Sequence, residues 1–258
     1  MKRFLLVFTA ITLLLAVSYS QIFAQSGGET RSMQTANQLY ENGQFAHAAA
    51  LYQQLVDQGI QNDALYFNLG NAYFKSEDVG HAILYYRKAA QLDPRDDDIQ
   101  NNLKIARTQR IDQYEQEADF LTRLTQMVGS WLTLNELAFI ALGLWFAAVV
   151  LLIAFLRQNG GRIKTAMGYA LFGVALSFVA SVAALGSELY VHGNRPAAVI
   201  TQQEVNVMGG PGSGQVVEFT LHSGAEVRIL EERGSWMRLE LPGGNVEGWV
   251  PQDVLEKV

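Results

Sequence analysis

The sequence predicts a multidomain protein with an α-helical repeat region, a two-helix transmembrane hairpin and a small all-β barrel. Three observations lead to this architecture. Similar residues recur at intervals of 34 in the first hundred residues. Two apolar blocks in the middle of the chain are long enough to cross a membrane, and apolar residues alternate with polar ones after Ala198.

The composition excludes several classes of function. The net charge is −6 at pH 7, and no stripe of Lys and Arg residues offers an electrostatic footprint for nucleic acid. The chain contains no cysteine, which excludes disulfide bonds, thiolate catalysis, cysteine-ligated metals and a cysteine-linked lipid anchor. Apolar residues make up 49% of the chain, and their concentration in three blocks indicates membrane segments.

The first apolar block is predicted to be a secretory signal peptide over residues 1–24. Lys2 and Arg3 give a positive start, residues 4–17 are apolar, and the block ends in a small residue, Ala24. The third residue from this end is an isoleucine, which is a weaker cleavage signal than alanine. An uncleaved membrane anchor is therefore the alternative.

The other two apolar blocks are predicted to form transmembrane helices at residues 136–156 and 166–190. About 20 apolar residues of helix span the hydrocarbon core of a bilayer. Thr133 and Glu136 have the spacing of a capping box at the start of the first helix. Glu188, near the end of the second helix, is the only charged residue within it.

Small residues recur every four positions in the second predicted span, at Gly173, Ser177 and Ser181. Such a stripe allows two membrane helices to approach closely. We expect the stripe to pack against the first helix of the same hairpin. Packing against a helix of a partner protein is the alternative.

The loop between the two spans, residues 157–165, carries Arg157, Arg162 and Lys164 and no acidic residue. Because positively charged loops remain on the cytoplasmic side, this loop is predicted to be cytoplasmic and both flanking regions extracytoplasmic. This orientation does not depend on signal cleavage, since three spans would also leave both flanking regions outside.

Residues 30–96 are predicted to form two helical repeats. Ala48 and Ala82 are 34 residues apart, as are Tyr52 and Tyr86, and this is the spacing of the tetratricopeptide repeat (TPR). The first copy is degenerate. The second copy resembles the TPR family closely, and the residues that carry the resemblance are Tyr66, Leu69, Gly70, Tyr73, Ala82, Tyr86, Ala89 and Pro94.

Residues 97–131 are predicted to contain a long helix, ending near Gln126, that caps the repeats and leads to the membrane. Asp96, Asp97 and Asp98 favour its N-terminus through the helix dipole. A calcium site at these aspartates is the alternative, although the alternating oxygen ligands of an EF-hand loop are missing. Since about three repeats are usually needed for stable stacking, the module is expected to depend on this helix, on dimerisation or on a partner.

The TPR resemblance implies a concave groove, lined by the first helix of each pair, that binds a peptide. Asparagines occupy two repeat-equivalent positions in these helices, and an amide can both donate to and accept from a peptide backbone. The alternative is that asparagine is simply frequent at these places in the repeat. The paired lysines with which some family members bind a free carboxylate are absent. The candidate groove residues are Asn37, Phe67, Asn68, Asn71, Phe74, Lys75 and Asn102.

Residues 198–258 are predicted to form the all-β domain, after a turn-rich linker at residues 191–197. Short period-two segments are separated by glycine turns, which is typical of a small barrel. The sequence resembles the bacterial SH3 (SH3b) family and implies an SH3-like barrel. The segments that carry the resemblance are VNVMGGPG at 205–212, LHSGAEV at 221–227, LEERGSWMRL at 230–239 and GWVP at 248–251.

Two tryptophans of this domain are candidates for its core or for a ligand surface. Trp249 is expected in the core. Trp236 is out of phase with the apolar residues Met237 and Leu239, so it is open to two interpretations. It either packs across the barrel or lies exposed where SH3-type barrels hold a peptide or a cell-wall stem.

No catalytic motif is recognisable in the sequence. It has no HExxH, GxSxG, P-loop or paired-carboxylate constellation. His47 and His81 are 34 residues apart, so they are expected at equivalent places in neighbouring repeats, too far apart to share a metal. We therefore expect no enzymatic activity, no cofactor and no metal site. An enzyme would need a constellation that bridges both soluble domains.

The order of the segments resembles the TPR proteins of the bacterial aerotolerance (Bat-type) operons. That resemblance implies a scaffold in the bacterial cytoplasmic membrane, with protein partners such as the von Willebrand factor A-domain membrane proteins of the same operons. Two hypotheses follow, and neither involves nucleic acid. The protein is an adaptor that binds a membrane partner in the TPR groove, or a tether or sensor whose SH3b domain binds peptidoglycan.

Overall fold

The computed structural model describes the chain in four stretches. The predicted signal peptide, residues 1–24, lies outside the described residues, as does most of the later part of the predicted segment 97–131. The described stretches are residues 31–113, 131–194, 196–243 and 246–258, without the side chains of residues 188 and 191–194.

The structure describes five helices within residues 31–113, and the starts of three of them follow from the sequence. Asn62, Asp78 and Asp96 each accept a hydrogen bond from a backbone N–H in the first turn of the helix that follows. The predicted position of the acidic run at a helix N-terminus is confirmed, because Asp97 and Asp98 lie in the first turn after Asp96. The helices are α1 (31–41), α2 (Phe45–Asp57), α3 (Asp63–Lys75), α4 (Val79–Leu92) and α5 (Asp97–Thr108).

Small residues at the helix crossings allow the helices to close around a core rich in tyrosine. Ala36, Ala48 and Ala82 are completely buried. A Cβ atom at Gly70 would lie 2.7 Å from the ring of Tyr86, so a side chain there would displace the ring. The repeat signature therefore reflects a steric requirement of this core.

Helix α5 ends at Thr108 and residues 109–113 are not helical, so the prediction of one continuous helix is wrong here, while residues 114–126 lie outside the described residues. The reason is tertiary contact. Immediately after the helix, Arg110 and Asp112 bind Glu226 and His222 of the C-terminal domain. A continued helix would direct the chain along its own axis, away from these partners.

Two long apolar helices form a hairpin, α6 (Leu134–Arg157) and α7 (Arg162–Asn194). Both are long and apolar enough to cross a membrane by length and composition, with mean hydropathy of 2.8 and 2.0 over their most apolar stretches. The predicted capping box is confirmed, since the Thr133 side chain accepts from the Glu136 backbone and Glu136 accepts from the Thr133 backbone. The predicted linker 191–197 is helical as far as Asn194.

The stripe of small residues in α7 is not the seam of the hairpin. No described atom lies within 4 Å of a Cβ built on Gly173. Ser177 is exposed and donates its hydroxyl to the Gly173 carbonyl, and Ser181 donates to the Ser177 carbonyl. The expected packing of this stripe against α6 is therefore wrong at Gly173 and Ser177. The close approach lies elsewhere, where a Cβ on Gly168 would be 3.5 Å from Phe155.

Seven strands form one antiparallel sheet in the order β3-β2-β6-β5-β4-β1-β7. The expected barrel is not closed by hydrogen bonds, because β3 and β7 lie at opposite ends of this order within the described residues. One face of the sheet buries an apolar core that includes Val207, Leu239 and Val250. The strands are β1 (Ala197–Ile200), β2 (Glu204–Met208), β3 (Val217–His222), β4 (Glu226–Arg233), β5 (Trp236–Glu240), β6 (Glu247–Pro251) and β7 (Leu255–Lys257).

The helical repeat region and the sheet pack directly on one another. Val199 of β1 is completely buried within the core of the repeats, and Val258 packs against the same core. A Cβ on Gly80 of α4 would lie 2.8 Å from the Ile200 carbonyl oxygen, and one on Gly224 would lie 3.0 Å from Ile83. The backbones of the two domains thus approach as closely as elements within one domain do.

Candidate functional site

The predicted groove residues lie on three neighbouring helices, α1, α3 and α5. The Asn68 side chain donates to the Asn37 oxygen at 3.4 Å, and Asn102 donates to the Asn71 oxygen at 2.8 Å. The two contacts are related by the 34-residue repeat. The structure therefore brings the four predicted asparagines together as two equivalent pairs.

A tyrosine holds each of these pairs, and the sequence analysis did not identify this role. The Tyr52 hydroxyl donates to the Asn37 oxygen at 2.5 Å, and the Tyr86 hydroxyl donates to the Asn71 oxygen at 2.7 Å. In both repeats the tyrosine follows the asparagine by 15 residues. That common separation is the signal in the sequence, where Tyr52 and Tyr86 otherwise mark only the repeat period.

These tyrosines are protonated donors at every physiological pH. Burial raises the pKa of Tyr52 to about 12, with a smaller contribution from nearby Tyr40 and Glu41. Burial likewise raises the pKa of Tyr86 far above its ordinary value. The oxygens of Asn37 and Asn71 are therefore engaged within the protein, and among the described residues their amide nitrogens have no acceptor.

The other candidate groove residues lie beside the asparagine pairs on α3. Phe67 and Phe74 are half-buried and pack against the repeat core, with the Phe67 ring centroid 6.0 Å from that of Tyr86. Lys75, in the last turn of α3, is exposed. The surface thus combines amide groups, aromatic edges and one positive charge.

The tryptophans of the sheet have different surroundings. Trp249 is buried as expected, at 7% exposure, and the Arg233 guanidinium lies 5.0 Å from the centre of its ring. Trp236 is half-buried and lines a shallow surface depression together with Ser235, Pro251, Gln252 and Asp253. An indole edge surrounded by polar groups can contact a ligand from solvent.

The two repeat-related histidines have unrelated environments. His47 is exposed on α2. His81 lies 2.7 Å from Asp78 and 3.5 Å from Glu256 of β7, and its ring stacks on Tyr73. Burial lowers the pKa of His81, but the hydrogen bonds with Asp78 and Glu256 outweigh it and raise this pKa to about 9. His81 is therefore a cation that joins the two domains.

Within the part of the chain that the structure describes, no group of three or more His, Asp or Glu side chains is arranged to hold a metal ion. The acidic run at the start of α5 is used in capping, since Asp96 accepts from the backbone of Asp98 and Ile99.

Comparison with known proteins identifies the helical region. Residues 64–96 match the family model of the tetratricopeptide repeat. No curated protein matches the chain. The matched segment covers α3 and α4 and the turn that leads to α5. Residues 64–96 are therefore a tetratricopeptide repeat, a non-catalytic repeat fold that generally mediates protein–protein interactions, and the helices packed around them form a TPR-like region.

Proposed function

We propose that this protein is a membrane-anchored adaptor without catalytic activity, and that its TPR groove binds an extended segment of a protein partner. The observation that carries the proposal is the pair of equivalent asparagine contacts, each oriented by a tyrosine. Each pair offers an amide nitrogen toward the ligand, and the same arrangement recurs one repeat further along the groove. A regular spacing of amide groups suits the regular backbone of a peptide better than it suits a compact small molecule.

The proposed anchor is the hairpin of α6 and α7, in the cytoplasmic membrane of a bacterium. An even number of spans leaves both flanking regions on the same side, and the direct packing of the two soluble domains requires the same arrangement. The positive charges of residues 157–165 favour a cytoplasmic hairpin loop. Both soluble domains are then extracytoplasmic, whether or not the signal peptide at residues 1–24 is cleaved.

The C-terminal sheet is proposed to be an SH3b domain that supplies a second contact with partners. Support comes from the four matching sequence segments and from the small antiparallel sheet with its single apolar core. With the TPR region and the hairpin, this gives the domain order of the Bat-type aerotolerance proteins. Membrane proteins with a von Willebrand factor A domain are accordingly the first partners to test.

The groove hypothesis is tested by affinity purification of the tagged full-length protein from native membranes, followed by mass spectrometry. The groove variant is Asn37→Asp with Asn71→Asp, which keeps an oxygen to accept from each tyrosine and removes both amide nitrogens. The matched control, Gln54→Glu with Gln91→Glu, introduces the same two charges at exposed positions on the outer helices α2 and α4. We expect partners to be lost only from the groove variant. An unchanged partner list in both variants would contradict the proposal.

A second candidate function is binding of peptidoglycan by the C-terminal domain. The depression at Trp236 favours it, because an aromatic edge beside Ser235, Gln252 and Asp253 suits a ligand made of sugar and peptide. The test is co-sedimentation of the detergent-solubilised full chain with purified cell wall. Binding that is lost in Trp236→Ala would support a tether, and a protein that stays in the supernatant across salt and pH would exclude it.

A further inference from the structure

Three arginines of the TPR region converge on one glutamate of the C-terminal domain. Glu226, the first residue of β4, is 3% exposed. Arg107 of α5 forms two hydrogen bonds with its carboxylate, both of 2.8 Å, and Arg110 forms a third of 3.0 Å. Arg87 of α4 lies 3.2 Å from the second carboxylate oxygen. We refer to these four residues as the Glu226 cluster.

Glu226 is the buried member of the cluster, whereas Arg107 is partly exposed. A carboxylate removed from water requires compensating charge and hydrogen bonds, which the three arginines supply. Burial raises the pKa of Glu226, but the hydrogen bonds of Arg107 and the charges of all three arginines have the larger combined effect. The pKa of Glu226 is therefore below its ordinary value. The carboxylate therefore stays ionised, and its replacement by a neutral group removes the charge to which the three arginines bind.

Two further polar contacts lie along the same seam between the domains. The His222 backbone N–H donates to Asp112 at 2.6 Å, and the His222 ring lies 3.0 Å from the same carboxylate. His81 reaches Glu256 on the other side. Together with Val199 in the repeat core, these contacts cover the side of α4 and α5 on which a further repeat would stack.

We propose that the C-terminal domain is the cap of the short TPR array, and that the Glu226 cluster locks the two domains into one rigid unit. The contact does not depend on the identity of any partner, so the inference goes beyond the proposed adaptor function. Its consequence is geometric. A ligand in the groove and a ligand at Trp236 are held at a fixed distance and orientation, instead of on two independently moving modules.

The test is a distance measurement between spin labels in the full-length protein in detergent or nanodiscs. Because the chain has no cysteine, two introduced cysteines are the only labelling sites. The interdomain pair is Gln54→Cys on α2 with Asn206→Cys on β2, both at exposed positions. The intradomain pair, Gln54→Cys with Gln91→Cys, reports whether the TPR region itself stays folded. We expect a single narrow distance distribution for both pairs.

The cluster is then tested with Glu226→Gln, which keeps the size of the side chain and removes its charge. In Glu226→Gln we expect the interdomain distance distribution to broaden and the intradomain distribution to stay narrow. In the separate variant Glu226→Asp, which keeps the charge, we expect most of the narrow interdomain peak to remain. The matched control is Glu247→Gln, an exposed acid paired with Arg238 within the sheet at 2.6 Å, and it should change neither distribution.

Three outcomes would overturn the proposal. A broad interdomain distribution in the unmodified protein would mean that the domains are not locked. A narrow one in Glu226→Gln would mean that the cluster does not hold them. Broadening of both pairs in Glu226→Gln would mean that the cluster maintains the fold of the TPR region and not the docking of the cap.

Discussion

The Tyr86 hydroxyl donates to the amide oxygen of Asn71 at 2.7 Å, and Tyr52 makes the same bond to Asn37 one repeat earlier. The tyrosines lie on the outer helices α4 and α2, and the asparagines lie on the inner helices α3 and α1. The bond therefore couples the packing of each repeat to the orientation of a groove amide. A fully buried tyrosine thereby orients an amide on the surface that we propose as the groove.

Replacing Tyr86 with phenylalanine is expected to affect both stability and binding. Loss of one buried hydrogen bond should lower the free energy of unfolding by about 1 kcal/mol, because the Asn71 oxygen loses a donor. Only the hydrogen bond from Asn102 then holds the Asn71 amide in place, so the free energy of partner binding should fall by more than the free energy of unfolding. Thermal unfolding and a quantitative pull-down would measure the two effects. Tyr40→Phe, outside the asparagine pairs, is the control, and equal partner recovery from both variants would contradict the positioning role.

The Gly70→Ala substitution is expected to destabilise the TPR region by roughly 1–3 kcal/mol, the usual cost of overpacking a core. The new Cβ would lie 2.7 Å from the Tyr86 ring, and that ring cannot move away without breaking its bond to Asn71. Denaturant titration followed by circular dichroism would measure the change. Gly214→Ala, with no described atom within 4 Å of the added Cβ, should change stability by less than about 0.5 kcal/mol.

The contact between His81 and Glu256 predicts a dependence of stability on pH. The pKa of His81 is raised from 6.5 to about 9 in the folded protein. Its contribution to the free energy of unfolding is therefore complete below pH 6.5 and is lost as the pH rises through 9. The lowered pKa of Glu256 gives a contribution that is present above 4.5 and lost as the pH falls further. After a discount for solvent screening, the loss on the alkaline side should be on the order of 1–2 kcal/mol.

The measurement is the unfolding midpoint of the full-length protein in detergent between pH 6 and 10. Across this range the unfolding midpoint of the unmodified protein should fall by more than that of the His81→Gln variant. His47→Gln, the exposed repeat-equivalent histidine, should follow the unmodified protein. Parallel curves for all three proteins would show that His81 does not stabilise the domain contact.

Membrane topology provides a separate prediction. Two types of reporter are compared, one that functions only in the cytoplasm and one that functions only outside it. Inserted between Gln158 and Gly161, in the short connection between α6 and α7, only the cytoplasmic type should be active. Fused after Val258, only the reporter that functions outside the cytoplasm should be active. The opposite pattern would place the groove and the sheet in the cytoplasm and exclude a cell-wall ligand.

The sequence was sufficient for the repeated and the apolar features. The 34-residue period, the two long apolar helices and the capping box at Thr133 are all encoded by residues close together in the chain, and the structure contains them. The asparagines were identified as groove candidates for the same reason. Their tyrosine partners were visible as repeat marks, but the bond between them depends on how α3 and α4 pack.

Long-range contacts explain what could not be predicted. Arg107 and Glu226 are 119 residues apart, and neither has a local signature that would relate it to the other. The same contacts explain the early end of α5, because Arg110 and Asp112 are used at the domain seam. The stripe at Gly173 shows the opposite error. A local pattern predicted a helix contact at Gly173, but the close approach of α6 and α7 lies at Gly168, opposite Phe155 of α6.

Photo-crosslinking in living cells tests the central claim most directly. A photoreactive phenylalanine analogue is introduced at Lys75, which is exposed on α3 beside the asparagine pairs, or at Gln54, which is exposed on the outer helix α2. If the TPR groove holds a partner, the Lys75 position should give a discrete crosslinked protein and the Gln54 position should not. Crosslinks that are the same at both positions, or absent at Lys75, would contradict a groove-bound partner.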